Sequence, residues 1–328
     1  MEPLLTGLKP TGELTLGNYI GAIKPLMELS KNYDNVFLFV ADLHALTIPQ
    51  DPQELKKRIR DFVTMYIACG IDLDKTTIYV QSDNEYMGAI SWMLECATYY
   101  GEASRMIQFK EKSKEQNNNF TVGLLTYPVL MATDILYCDS KYVPVGIDQK
   151  QHVELARDIA IRFNNRYGET FTIPEPVIRE NGAKIMDLKN PEKKMSKSAD
   201  SPNGVITMYD TDEEMRKKIM GATTDSEMLV KYDPENKPGI SNLMTIVNSL
   251  TGESFEDIET KFQGKNYGEF KRYCADVVVN ELGKIRDKFY EVQQSNIVDE
   301  VLDKGREITR KIAKEKYELI RERMGTIR

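Results

Sequence analysis

The chain has 328 residues, of which 41% are hydrophobic and 29% charged, enough for two domains and a sizeable core of ordinary soluble composition. No apolar run approaches the ~20 residues a bilayer span needs, and Met1-Glu2-Pro3-Leu4-Leu5 carries neither a basic region nor an apolar signal core, so no membrane partner and a cytoplasmic address are expected. The net charge of -7 means that a polyanionic partner would have to be met by local basic patches.

The four cysteines (Cys69, Cys96, Cys138, Cys274) form no CxxC and no pairing pattern, and only His44 and His152 are present, so no metal-ligating residues are expected. Leu4-Leu5 leads into Gly7-Leu8-Lys9-Pro10-Thr11-Gly12, a loop dense in breakers, after which Leu14-Thr15-Leu16-Gly17-Asn18-Tyr19 opens a helix with Ile20, Ile23, Leu26 and Met27 on its core face. Val36 to Ala41 is a continuous apolar run, as in a strand buried on both faces of a parallel sheet. Two such strands joined through a helix predict a Rossmann-like βαβ start. Helices follow over Gln53 to Cys69, Tyr86 to Tyr100 and Met106 to Glu115, with a third strand at Thr77 to Gln81. Val122 to Leu136 reads as a buried helix interrupted or bent at Pro128. Tyr142 to Val145 is a strand ending at Gly146, His152 to Asn165 a helix, and Phe171 to Pro174 a short extended piece. From Glu213 onward strand signals fade. The last segment, Lys304 to Arg328, has nine Lys or Arg against four Glu and places Ile308, Ile312, Leu319, Ile320 and Met324 near one face. The expected class is α/β: a Rossmann-like parallel-sheet catalytic domain over residues 1-200 and a helical C-terminal domain over 201-328.

Three stretches carry chemistry. Lys193-Lys194-Met195-Ser196-Lys197-Ser198 sets two ammonium groups three residues apart among hydroxyls, and Ser201-Pro202-Asn203-Gly204 keeps it from being a long helix. Such a loop suits a polyphosphate, although a solvated basic turn has the same composition. The Thr15-Leu16-Gly17-Asn18 turn offers the N–H groups of a helix start, two small polar side chains and a glycine that lets a ligand approach. It is neither a Walker loop nor GxGxxG, and by itself reads equally as an ordinary strand-to-helix turn. Asp134 is a carboxylate among Leu130, Met131, Ile135 and Leu136, which requires a partner. A structural lysine would serve, and His44 could be a satisfied core histidine.

Taken together, these stretches resemble the class I aminoacyl-tRNA synthetases, with Thr15-Leu16-Gly17-Asn18 in the place of a His-Ile-Gly-His signature whose outer histidines are missing here. The surrounding Pro10-Thr11-Gly12, Ala41-Asp42-Leu43-His44-Ala45-Leu46-Thr47, Gln108 to Ser113, Gly146 to His152 and Lys237-Pro238-Gly239-Ile240-Ser241-Asn242 are similar to the bacterial tryptophanyl branch of that class, over nearly the whole chain.

The resemblance implies ATP and L-tryptophan as substrates, Mg²⁺ held mainly by the ATP phosphates, tRNA(Trp) as acceptor, and a homodimer formed through helices inserted in the catalytic domain. Thr15, Asn18, Lys194 and Lys197 would act in catalysis. Lys9, Pro10, Thr11, Gly17 and Lys112 would hold phosphates, Gly146, Ile147, Asp148 and Ile185 would border the adenosine, and Met195, Ser196 and Ser198 would close over the triphosphate with the lysines. Asp134 would take the indole N–H, His44, Met131, Leu5 and Val145 would line the ring, and Tyr127, Gln108 and Gln149 would hold the ammonium and carboxylate. The helical part would read the anticodon, with Tyr267, Phe270 and Tyr273 among Lys265, Lys271 and Arg272 as stacking candidates. A tyrosyl enzyme, a small nucleotidyltransferase of the same superfamily and a non-catalytic binding paralogue are the competing readings. The last is opposed by intact Gly17, Asn18, Lys194, Ser196 and Lys197.

Overall fold

A computed structural model describes residues 3–115, 119–178, 183–196 and 201–327. Lys197 and Ser198 therefore lie outside the described residues. Five parallel strands form one sheet: β1 (Leu4–Leu8), β2 (Val36–Val40), β3 (Thr76–Val80), β4 (Tyr142–Val145) and β5 (Glu175–Ile178), in the order β3-β2-β1-β4-β5. All five residues of β2 are buried, as its unbroken apolar sequence requires of a central strand. The order reverses between β1 and β4. In a doubly wound sheet, the crevice outside the carboxyl ends of such strands is where ligands bind.

The first helix is not one regular piece. Leu16–Asn18 (α1) passes into a π turn at Tyr19–Ile23 before Lys24–Ser30 (α2). Pro25 explains the widening, because it lacks an N–H and its ring would crowd the carbonyl four residues back in a tight α turn. A short helix, α3 (Asp42–Ala45), follows β2, and α4 (Pro52–Ala68) is capped by the Asp51 carboxylate, which accepts from the N–H groups of Gln53 and Glu54 at 2.9 Å each. The helix expected over Tyr86 to Tyr100 is two, α5 (Met87–Glu95) and α6 (Tyr100–Ser104), followed by α7 (Ile107–Glu115). The expected interruption at Pro128 is absent: α8 (Val122–Tyr137) runs through it, buried between neighbours. After β4 comes α9 (Lys150–Tyr167). The extended piece expected at Phe171 to Pro174 lies four residues further on as β5, an edge strand, which is where its Pro176 can lie without breaking a ladder.

The helical part comprises α10 (Asp212–Met220), α11 (Pro238–Thr251), α12 (Phe255–Lys261), α13 (Tyr267–Gln293) and α14 (Ile297–Met324). One hydrophobic cluster joins Leu4, Ile23, Val36 and Phe62 to Met215, Leu243, Phe270 and Val278, so packing runs across the 200/201 division. A second cluster, on the other sheet face, joins Phe37, Tyr79 and Ile135 to Ala313 and Ile320 of α14. Lys316 of α14 is anchored there, donating to both Asp139 carboxylate oxygens at 2.8 Å and to the Thr170 carbonyl at 2.7 Å. Among the described residues no helix is long and apolar enough to cross a membrane.

Candidate active site

A cavity of about 430 Å³ opens at the carboxyl ends of β1 and β4, at the switch point. Leu5, Phe39, Met131, Ile135, Val143 and Val145 supply its apolar walls. All eight residues expected to contact tryptophan (Leu5, His44, Gln108, Tyr127, Met131, Asp134, Val145, Gln149) line it, together with Lys9, Lys112 and Gly146. Gly7 belongs to the wall because a Cβ there would come within 2.4 Å of the Phe39 ring.

Asp134 stands on α8 with 1% of its surface exposed. Its partner is no lysine. His44 Nε2 lies 2.9 Å from Oδ2, and the Gln81 amide donates to both carboxylate oxygens at 2.8 and 3.0 Å. Burial pushes the carboxyl above its ordinary range, and the contacts with His44 and Gln81 pull it back. His44 is thus neither a bare core histidine nor remote from the cavity, since it bridges cavity and carboxylate. Gln81 is the residue that sequence reasoning missed. The available signal was its place as the polar residue just after a buried strand, at the ligand-facing end of an α/β sheet.

At the mouth, the Tyr127 hydroxyl lies 3.0 Å from His152 Nε2 and 3.3 Å from Gln108 Oε1. Asp148 Oδ2 accepts from the side-chain amides of Gln108 and Gln149 at 3.1 Å each, which cross-links two of the expected substrate-holding groups. Burial raises the Tyr127 phenol to about 12, with Asp148 adding to the shift, so the phenol stays neutral. Lys112 donates to Gln108 Oε1 at 3.0 Å and Lys9 to Thr47 Oγ1 at 3.2 Å. Burial, then the nearby Lys112, lowers the Lys9 ammonium below its ordinary range. Two cations facing one cavity favour an anionic ligand there.

Of the expected phosphate-binding residues, Thr15 and Asn18 hold each other. Asn18 N–H donates to Thr15 Oγ1 at 3.2 Å, and Thr15 donates from its backbone N–H and its hydroxyl to Asn18 Oδ1 at 3.0 Å each. This reciprocal cap fixes the turn. Gly17 faces the lysine segment: a Cβ there would lie 3.6 Å from Met195 Cβ and 3.8 Å from Ile185 Cβ. The turn and Lys194-Met195-Ser196, remote in sequence, therefore meet at Gly17. Thr11 folds back on Lys9, its N–H donating to the Lys9 carbonyl at 2.8 Å, and Pro10 is buried beside it. Gly146 sits beside the Asp148 carboxylate, whose Oδ1 would lie 2.7 Å from a Cβ and would have to swing aside, whereas Ile147 is exposed.

The stacking candidates in the helical part do not survive the packing. Phe270 is fully buried on Phe262, and Tyr267 is buried with its hydroxyl 2.7 Å from Asp225. Tyr273 gives its hydroxyl to Glu253, and Lys271 donates to the Ala222 carbonyl at 2.7 Å. Their spacing served the helical core, whose apolar face reads the same in sequence as an aromatic docking stripe.

The family described as tRNA synthetases class I (W and Y) matches residues 3–283. The chain is 47% identical to the tryptophan--tRNA ligase of Caldanaerobacter subterraneus subsp. tengcongensis over 100% of this chain and 99% of that one, and 47% identical to that of Bacillus subtilis over 99% and 98%. Among solved structures, it is similar to the tryptophanyl-tRNA synthetase of Mycoplasma pneumoniae (TM-score 0.84, 37% identity, 99% of this chain and 98% of that one). It is equally similar to that of Campylobacter jejuni complexed with ADP and tryptophan (TM-score 0.84, 35% identity, 98% and 99%). With its parallel sheet, its switch-point cavity and these relatives over its full length, the chain belongs to the class I aminoacyl-tRNA synthetases, in the tryptophan--tRNA ligase family.

Proposed function

We propose that the protein attaches L-tryptophan to tRNA(Trp) in two steps. The tryptophan carboxylate attacks the α-phosphorus of ATP, forming a carboxyl–phosphate bond as diphosphate leaves. The terminal ribose hydroxyl of the tRNA then attacks the acyl carbonyl, and AMP departs. The observation that carries this reading is the buried Asp134 carboxylate, held by His44 and Gln81 against an apolar cavity, a ready acceptor for an indole N–H. A pocket built around such an acceptor penalises any side chain that leaves it unpaired.

The attacking carboxylate is already charged, so no nucleophilic side chain is required, and positioning with charge stabilisation supplies the acceleration. Tyr127, Gln108 and Gln149 orient the amino-acid head group, while Lys9, Lys112 and the Thr15–Asn18 turn hold phosphates. Lys194, with Lys197 and the neighbouring Ser196 and Ser198, neutralises charge on the departing diphosphate. Ile185, Gly146, Ile147 and Asp148 border the adenosine. Mg²⁺ arrives as part of the substrate on the ATP phosphates. Among the described residues no group of three or more His, Cys, Asp or Glu is placed to hold a metal, and the side chains named here act on the phosphates directly.

The reading extends to a homodimer working in the cytosol on its tRNA. Trp92 and Leu46 are 66% and 58% exposed in a groove between α5 and α8. Thr47 and Tyr127 line both that groove and the cavity. An apolar face of this kind, with aromatic content and one wall shared with the site, fits a second copy of the chain. Residues 201–328 then serve the tRNA through surface other than the packed Tyr267 and Phe270.

The test is ATP-dependent charging of unfractionated tRNA with labelled tryptophan, run beside sedimentation of the protein. Charging by a species of twice the chain mass supports the whole reading, and absence of charging by folded protein contradicts it.

A further inference from the structure

The segment Lys237-Pro238-Gly239-Ile240-Ser241-Asn242 ends against the lysine segment. Asn242 sits in the second turn of α11, 4% exposed, and its amide grips the backbone of one residue. Met186 N–H donates to Asn242 Oδ1 at 2.8 Å, and Asn242 Nδ2 donates to the Met186 carbonyl at 2.9 Å. On its other side Met186 faces Lys194 in an isolated antiparallel bridge. The bonds of that bridge run from Met195 N–H to the Ile185 carbonyl and from Asp187 N–H to the Lys193 carbonyl, 2.9 Å each. In this arrangement the polar groups of Met186 itself point away from Lys194. They would be orphaned without the Asn242 amide, which satisfies both as an adjoining strand would.

The amide is held rigidly in turn. Lys237, 5% exposed, starts α11 with its ammonium 3.1 Å from Asp225 and 2.6 Å from Glu227. Gly239 packs so tightly that a Cβ would come within 2.1 Å of the Thr223 carbonyl. Thr223 N–H donates to the Leu188 carbonyl at 2.8 Å, two residues beyond Met186. A bridge standing alone outside a sheet depends for its register on local contacts of this kind.

We propose that Asn242 is a positioning residue for adenylate formation: by clamping Met186 it fixes the register of the 185–195 hairpin and thereby places Lys194 and Ile185 against the Thr15–Asn18 turn. The contact at Gly17, where Ile185 and Met195 converge, is what that register sets. The inference rests on the reading of Lys194 as a lysine that acts on the triphosphate. It gives α11, a helix outside the sheet, a stake in the chemistry.

The experiment compares the full chain with Asn242→Leu, which removes both hydrogen-bonding functions at similar size, and Asn242→Asp, which keeps only the acceptor for Met186 N–H. Diphosphate exchange into ATP is measured beside tryptophan binding by equilibrium dialysis. Asn242→Leu should slow exchange about 10-fold or more while tryptophan affinity stays within about twofold, with Asn242→Asp between it and the parent. In the Lys194→Ala background, Asn242→Leu should add little, because both changes remove one function. Multiplicative losses, or an equal fall in tryptophan affinity, would overturn the proposal. An unimpaired Lys194→Ala protein would overturn the reading of Lys194 itself, and is distinguishable because the single lysine variant reports it. If Asn242→Leu does not fold, Asn242→Asp carries the same cycle.

Discussion

On the proposed reading, Asp134 selects the substrate through its isolation. An unpaired carboxylate at that depth would be strongly disfavoured, yet His44 and Gln81 leave it poised between burial and pairing. Asp134→Ala removes the acceptor for an indole N–H, so the preference for tryptophan over phenylalanine in kcat/KM should fall by roughly 100-fold or more. Competing exchange assays with the two amino acids measure it. The misfit of Asp134 among apolar neighbours was legible in the sequence, whereas its partners were not. They arrive from two other strand ends, and no spacing along the chain records that meeting. His152 shows a second residue effect. Burial, then Lys112, depresses its imidazole to about 4 from the ordinary 6.5. Between those values the unfolded chain binds a proton that the folded chain refuses, so stability rises with pH across that window. Roughly 3 kcal/mol is lost on acidification from the upper value to the lower. His152→Gln should flatten the dependence of thermal stability on pH in that window, as calorimetry at several pH values would register.

At the scale of elements, the turn after β1 combines a rigid cap with an uncovered glycine. Gly17→Ala would find ordinary contacts at 3.5 to 3.8 Å, from Thr15 Oγ1, Met195 and Ile185, so the fold has room for the methyl group. On the proposed reading, the same methyl would stand where phosphate approaches the backbone. The expected outcome is a melting temperature within about 2 °C of the parent with a KM for ATP raised about 10-fold or more. Helix and strand types were readable because apolar periodicity is strong in α4 and α9 and the apolar run of β2 is unbroken. The π turn at Tyr19–Ile23 and the four-residue displacement of β5 were not, because each lies beside a proline that acts through its immediate neighbours. Periodicity averages over such single-residue constraints.

Across the whole molecule, the helical part is welded to the sheet. Gly305 of α14 approaches β3 so closely that a Cβ would lie 1.8 Å from the Ile78 carbonyl. Gly305→Ala should therefore lift α14 from the sheet and cost about 2–4 kcal/mol, read as a lower midpoint in urea. The fading of strand signals from Glu213 onward was visible in sequence. The sharing of one core by Leu4, Phe62 and Phe270 was not, because contacts between residues so far apart leave no local pattern. On the proposed reading, the parallel sheet, the switch-point cavity and the eight lining residues expected to contact tryptophan serve one selection, made where Asp134, His44 and Gln81 meet. Amino-acid-dependent exchange of labelled diphosphate into ATP, with the twenty amino acids offered singly to the purified protein, tests that selection most directly. Exchange with tryptophan alone is the predicted result; exchange supported by tyrosine or phenylalanine, or by none, would contradict it.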